Sequence, residues 1–234
     1  MEDTILVTGS DSKFFLMSCL LYQSIKLTSL ANRFFVLDFG LNENERAFFR
    51  HKGILINAPV TASEPGHHNH PYARKAMVQD YVAELQPSSN VIWIDSDIVV
   101  SRKFDVALQN LLNEMAKHEI DVAASPELKI SDILSQFPHL NFDLFKQALS
   151  DRHIPTDADY YNSGFIVFRT RNLLKEWNRL AGSTPFYALF DQNLFNLIIH
   201  NGVKALSLPR KIWNFHGSDF RSEEHTSELQ SRET

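Results

Sequence analysis

The chain is poor in cysteine, in surplus positive charge and in long apolar runs, and each shortage removes a class of protein. Cys19 is the only cysteine among 234 residues, so no intrachain disulfide can form and the fold cannot depend on an oxidising compartment. Set within an apolar segment, Cys19 reads as core packing rather than a nucleophile. The formal net charge is -5, whereas a nucleic-acid-binding surface is normally basic. A single small phosphorylated ligand held by a metal stays compatible with that charge. The apolar stretch from Phe14 to Tyr22 is too short to span a bilayer. The opening Met1-Glu2-Asp3 is acidic where a signal peptide is basic. These features predict a cytoplasmic protein with no transmembrane segment, and leave peripheral membrane contact open. What remains is ordinary: 44% hydrophobic and 22% charged residues, enough for one globular domain.

The last stretch stands apart. Arg221 to Ser231 reads RSEEHTSELQS, which reproduces one reading frame of a common sequencing adapter, residue for residue. Residues 221–234 are therefore set aside as a non-native tail. The expectation is a domain over residues 1–220 whose natural C-terminus lies beyond Phe220.

Along that domain, short β-rich runs alternate with helical patterns. Strands are predicted at Thr4–Thr8, Phe34–Asp38, Ile54–Ile56, Val91–Asp95, Asp121–Ala124 and Gly164–Phe168. Helices are predicted over Lys13–Leu27, Asn42–Lys52, through Val78, Tyr81, Val82 and Leu85, through Leu108 to Met115, and through Leu194 to Ile198. Residues 58–71 read as a loop rich in Pro, Gly and His, and its His67, His68 and His70 read as solvated rather than as a metal site. This alternation predicts an α/β fold with a mostly parallel sheet and helices on both faces. The strands' continuous apolar character fits a sheet covered on both sides. Residues 128–159 fit the pattern worst and read as an excursion of helices and loop, suited to a second substrate.

The central signal is Val91-Ile92-Trp93-Ile94-Asp95-Ser96-Asp97. Residues at i and i+2 of an extended chain face the same way, so Asp95 and Asp97 could present two carboxylates at the end of a buried strand. Two anions so placed repel unless a cation shares them, and hard oxygen ligands favour Mg²⁺ or Mn²⁺. Ligands of open α/β sheets bind at the strands' carboxyl ends. A phosphatase-like aspartyl nucleophile would normally stand near the first strand, and Asp95 comes too late for that order.

Several motifs in fixed order carry a resemblance. They are Ile5-Leu6-Val7-Thr8-Gly9 with Asp11, Leu37-Asp38-Phe39-Gly40-Leu41, Arg74-Lys75, Asp95-Ser96-Asp97, Tyr161-Asn162-Ser163-Gly164 followed by Phe165-Ile166-Val167-Phe168, Asp191-Gln192-Asn193-Leu194-Phe195-Asn196 and Leu208-Pro209 with Trp213-Asn214. Together they resemble the GT-A glycosyltransferases, and within them the glycogenin-like and lipopolysaccharide-transferase-like family 8. The resemblance implies the GT-A fold over residues 4–217. It implies a donor site drawing on Thr8, Gly9, Asp11, Lys75, Asp95, Ser96, Asp97, Ser163 and Gly164, and a reaction centre drawing on Asn162, Asp191 and Gln192. Asp191 is expected either to line that centre or to cap the late helix. A third metal ligand is a histidine in the family, where this chain has Trp213-Asn214-Phe215-His216-Gly217. His216 is the candidate, unless the ligand lay beyond Phe220.

The implied activity is metal-dependent transfer of a hexose, with retention, from a nucleotide-diphosphate sugar such as a UDP-sugar. The acceptor would be a hydroxyl of an unknown glycan, lipid or protein. Two other readings stay open: a nucleotide-sugar-binding domain without turnover, including an inert truncated form, and a nucleotidyltransferase. The latter wants a glycine-rich basic loop after the first strand, of which Gly9-Ser10-Asp11-Ser12-Lys13 is a faint version.

Overall fold

The computed structural model describes residues 4–57, 70–83, 85 and 90–213. Strand β1 (Thr4–Asp11) leads through a tight turn to helix α1 (Phe15–Ile25), then β2 (Phe34–Gly40), α2 (Glu43–His51) and β3 (Leu55–Ile56). Helices α3 (Pro71–Ala76) and α4 (Val78–Val82) precede β4 (Asn90–Ile94), α5 (Phe104–Lys117) and β5 (Val122–Lys129). Helices α6 (Ile130–Gln136) and α7 (Asp143–Asp151) make an excursion before β6 (Asp159–Phe168), followed by α8 (Arg171–Ser183), α9 (Phe190–Ile199), β7 (Ala205–Ser207) and α10 (Arg210–Trp213).

The strands form one sheet in the order β3-β2-β1-β4-β6-β5-β7. All neighbours run parallel except β6, which is antiparallel to both β4 and β5. The reversal of β6 shapes the carboxyl edge of the sheet. A parallel strand ends at that edge, whereas an antiparallel one begins there. Because Ile94 pairs with Phe165, the residues before Phe165 overhang the end of β4.

Strand alternation divides the core. Ile5, Val7, Val91, Trp93, Ile166 and Phe168 face one side, with α4, α8 and α9. Leu6, Ile92, Ile94, Phe165 and Val167 face the other, with α1 and α5. Both sets are buried, which is why the strands read as unbroken apolar runs. Each such side chain contributes about 1.5–3 kcal/mol. Cys19 is half-buried, and burial pushes its thiol pKa up, in keeping with packing rather than reactivity. No helix among the described residues is long and apolar enough to cross a membrane.

Candidate active site

The turns at the carboxyl edge are built from local polar contacts. Asp11 Oδ1 accepts from Phe14 N at 3.0 Å and closes the turn into α1. Asp38 Oδ1 accepts from Gly40 N at 3.0 Å and Leu41 N at 2.9 Å, with Gly40 at φ 130°. Arg46 Nε donates to Asp38 Oδ2 at 2.6 Å. Asp11 and Asp38 thus fix loops rather than reach into open space.

Between these loops lies a cleft with about 540 Å³ of open space, lined by Gly9, Phe14, Phe39, Pro71, Tyr72, Lys75, Trp93, Asp95, Ser96 and Asp97. Gly9 is required by close approach: a Cβ there would run into the Phe39 ring. That ring stacks on Trp93 with centroids 6.1 Å apart. Thr8 is fully buried and does not line the cleft, so of the β1 residues expected at the donor only Gly9 does.

Asp95 and Asp97 are adjacent but not equivalent. The extended chain stops at Ile94, and a turn closed by Ile98 N donating to Asp95 O at 3.1 Å comes next. The i, i+2 geometry expected of an unbroken strand therefore does not hold. Asp95 is half-buried, Ser96 buried and Asp97 exposed. Asp95 is held on three sides: its N donates to Gly164 O at 2.7 Å, Trp93 Nε1 donates to its Oδ1 at 2.6 Å, and Lys75 Nζ lies 2.8 Å from the same oxygen.

Lys75 is the hub. Its side chain is only 7% exposed, and Nζ also lies 3.2 Å from Asp191 Oδ2 and 2.9 Å from Ser163 Oγ. An ammonium has three donors, so all three find a partner. Burial works against the charge, but the carboxylates of Asp95 and Asp191 outweigh it and hold the Lys75 pKa above its ordinary value. Lys75 is therefore an internal counter-ion.

Around this hub the motifs interlock. Ser163 Oγ donates to Asp191 Oδ2 at 2.9 Å, and Gly164 N donates to Asn162 Oδ1 at 2.6 Å. Asp191 sits inside the first turn of α9, whose N-cap is Leu189 in a left-handed conformation at φ 52°. Its carboxylate turns to Lys75 and Ser163, which overturns the capping expectation. The antiparallel overhang of β6 delivers Asn162 and Ser163 beside Asp95. Lys75, Asp95, Asn162, Ser163, Gly164, Asp191 and Gln192 are thus brought together.

The site holds residues that sequence reasoning missed. Glu127 Oε2, at the end of β5, accepts from Asn162 Nδ2 at 3.1 Å and Gln192 Nε2 at 3.4 Å. Asn196 Oδ1 accepts from Tyr161 N at 2.8 Å while its Nδ2 donates to Tyr161 O at 2.9 Å. The amide thus pairs with β6 as a neighbouring strand would, beyond the point where β4 ends. Trp93 was reachable, since it precedes Asp95 by two residues near the end of β4. Nothing local in the sequence marks Glu127, and Asn196, the last residue of the motif that begins at Asp191, carries no local sign of its pairing with Tyr161. His67, His68 and His216 lie outside the described residues. His70 Nδ1 accepts from Tyr72 N at 3.3 Å and caps α3. Among the described residues no group of three His, Cys, Asp or Glu side chains could enclose a metal.

No family model matches the sequence, and no curated protein matches it. Solved structures do. The bifunctional glycosyltransferase WbbM superimposes with a TM-score of 0.58 at 13% identity, over 90% of this chain and 40% of that one. The galactosyltransferase LgtC, determined with donor and acceptor sugar analogues, gives 0.54 at 17% identity, over 88% and 73%. Mouse xyloside xylosyltransferase 1 gives 0.51 at 14%, over 89% and 86%. This chain spans two fifths of the first of these proteins. The likeness defines a fold class: the chain has the GT-A glycosyltransferase fold.

Proposed function

We propose that this protein is a metal-dependent hexosyltransferase of the family 8 type, acting within the domain of residues 1–220. It takes a nucleotide-diphosphate sugar, a UDP-sugar by resemblance, and transfers the sugar with retention to an acceptor hydroxyl. The observation that carries the reading is the placement of Asp95 and Asp97 at the end of β4, in a cleft walled by Phe14, Tyr72 and Trp93. Flat aromatic walls suit a base, and two neighbouring carboxylates, Asp95 half-buried and Asp97 exposed, suit a hard dication.

The donor set fits Mn²⁺ or Mg²⁺. Asp95 and Asp97 would hold the ion, with His216, water and the diphosphate completing its shell. When bound, such an ion neutralises charge on the leaving diphosphate. The chain's own groups do the rest. Lys75 orients the Asp95 carboxylate and ties it to Asp191. Ser163 fixes Asp191 from the other side. Gln192 and Asn162 present amides toward the sugar and acceptor, and Glu127 receives one N–H of each. The lone cysteine is consistent with a cytoplasmic setting.

Calorimetric titration with UDP, with and without Mn²⁺ and with GDP for comparison, tests the donor site. Mn²⁺-dependent UDP binding that disappears in Asp97→Ala is expected. Since Asp97 is exposed, that variant should lose no more than about 0.5 kcal/mol of stability. Metal-independent binding, or binding retained in the variant, rejects the metal assignment. Nucleotide binding without sugar transfer to any acceptor would favour a binding domain, and an inverted product would remove the family 8 assignment.

A further inference from the structure

Helix α1 is apolar on more than one face. Its sequence FLMSCLLYQSI carries no charge. Ser18, Leu21, Tyr22 and Ile25 pack onto the sheet, yet Leu16 is 74% exposed, Leu20 61% and Leu27, just past its end, 62%. At 100° per residue these three fall in one stripe with Gln23, opposite the buried side. Amphipathic surface helices turn mostly polar residues outward, whereas this stripe has Gln23 as its one polar member.

A further exposed apolar residue stands on the loop beside the helix. Val100 N donates to Ser24 Oγ at 3.1 Å, so the loop after β4 lies against α1. That loop exposes Val99 at 67%. Acids stand at both ends of α1, Glu45 accepting from Ser12 Oγ at 2.6 Å and Asp105 on the loop side, but basic residues outnumber them. Lys13 and Lys26 flank α1, each with its ammonium over an adjacent ring, Phe14 at 5.4 Å and Tyr22 at 5.8 Å. Arg102 and Lys103 are exposed on the loop. Asp105, the acid beside them, accepts from Ser29 N and Oγ at 3.0 and 2.7 Å.

We infer that this face docks on an anionic lipid surface. Leucines enter the headgroup region while the basic frame meets lipid phosphates, which is the composition that interfacial attachment needs. Phe14, which lines the cleft, immediately precedes α1, so the docking helix and the cleft share one turn of chain. If the hexosyltransferase reading holds, its acceptor is then carried by a lipid; the docking itself does not require that reading.

Sedimentation of the full chain with phosphatidylglycerol–phosphatidylcholine vesicles tests this. Binding is expected, reduced by salt, weak on pure phosphatidylcholine, and lowered about tenfold or more in Leu16→Ser/Leu20→Ser. Those side chains are exposed, so the thermal midpoint should hold. Lys13→Gln/Lys26→Gln should weaken binding to the anionic vesicles alone. Absence of wild-type binding, or equal binding by the leucine variant, overturns the inference. So does a stable dimer that the leucine variant dissolves without any vesicle binding, since the face would then serve a second copy. UDP titration of the same variants stays unchanged whatever the vesicle result.

Discussion

Replacing Lys75 by Met is the most informative perturbation, because it removes a charge while keeping an unbranched side chain. Lys75 is 7% exposed and meets Asp95 at 2.8 Å and Asp191 at 3.2 Å. Removing one partner of a buried ion pair costs about 3–5 kcal/mol, since the other charge is left uncompensated. Asp95 is 35% exposed and can be rehydrated, while Asp191 at 7% cannot. The lower end, about 3 kcal/mol, is therefore expected, a large part of the roughly 5–15 kcal/mol typical of a domain. Urea unfolding followed by tryptophan fluorescence at pH 7 measures it. The double variant Lys75→Met/Asp191→Asn removes the stranded charge as well, and should recover about 1–3 kcal/mol relative to additivity. The pH dependence has a definite sign. The folded-state pKa of Lys75 is raised above its ordinary value of 10.5, so its contribution is complete below that value and is lost as pH rises through the folded pKa. The stability gap between wild type and Lys75→Met should be flat near neutrality and shrink in strong alkali. A loss under about 1 kcal/mol, or additivity in the double variant, would refute the counter-ion argument.

Three further perturbations probe the surrounding frame. Gly9→Ala places a methyl group against Phe39 and should cost about 1–3 kcal/mol by overpacking; calorimetry should also show weaker UDP binding, because Phe39 and Trp93 shift together. Asn196→Ala strands the N–H and C=O of Tyr161 and should lower stability by about 2 kcal/mol or more, read from the urea midpoint. Glu127→Gln keeps size but offers an N–H toward two amide donors; it should leave the thermal midpoint within a few degrees while lowering kcat more than donor KM in a transfer assay, and an unchanged kcat would deny Glu127 a part in orienting Gln192.

How much of the fold is legible in the sequence depends on the range of each interaction. Strands β1, β2 and β4 were legible because both their faces are buried and their apolar runs are continuous. Helix α2 was legible because Asn42 and Glu45 form a capping box, Glu45 N donating to Asn42 Oδ1 at 3.1 Å and Asn42 N to Glu45 Oε2 at 2.8 Å. Helix α8 and strand β7 were not recognised. The periodicity showed strand β6 only from Gly164, because Asp159, Asn162 and Ser163 interrupt its apolar run where it overhangs β4. The reversal of β6 has no local signature: an antiparallel and a parallel strand share one hydrophobic pattern, and only pairing distinguishes them.

The same logic explains the site. A motif order identifies which residues converge, but convergence is decided by contacts such as Lys75 to Ser163 and Tyr161 to Asn196, between residues far apart in the chain. Lys75 shows what that costs a local reading. In isolation a lysine near a carboxylate pair invites a role on the donor's phosphate. Placed between Asp95 and Asp191, its charge is already matched by two carboxylates. A donor phosphate would then have to compete with those carboxylates for Lys75, and charge neutralisation at the diphosphate falls to the metal proposed at Asp95 and Asp97. Lys75 thus acts on the reaction through the carboxylates it holds, which is why its removal should appear first as lost stability.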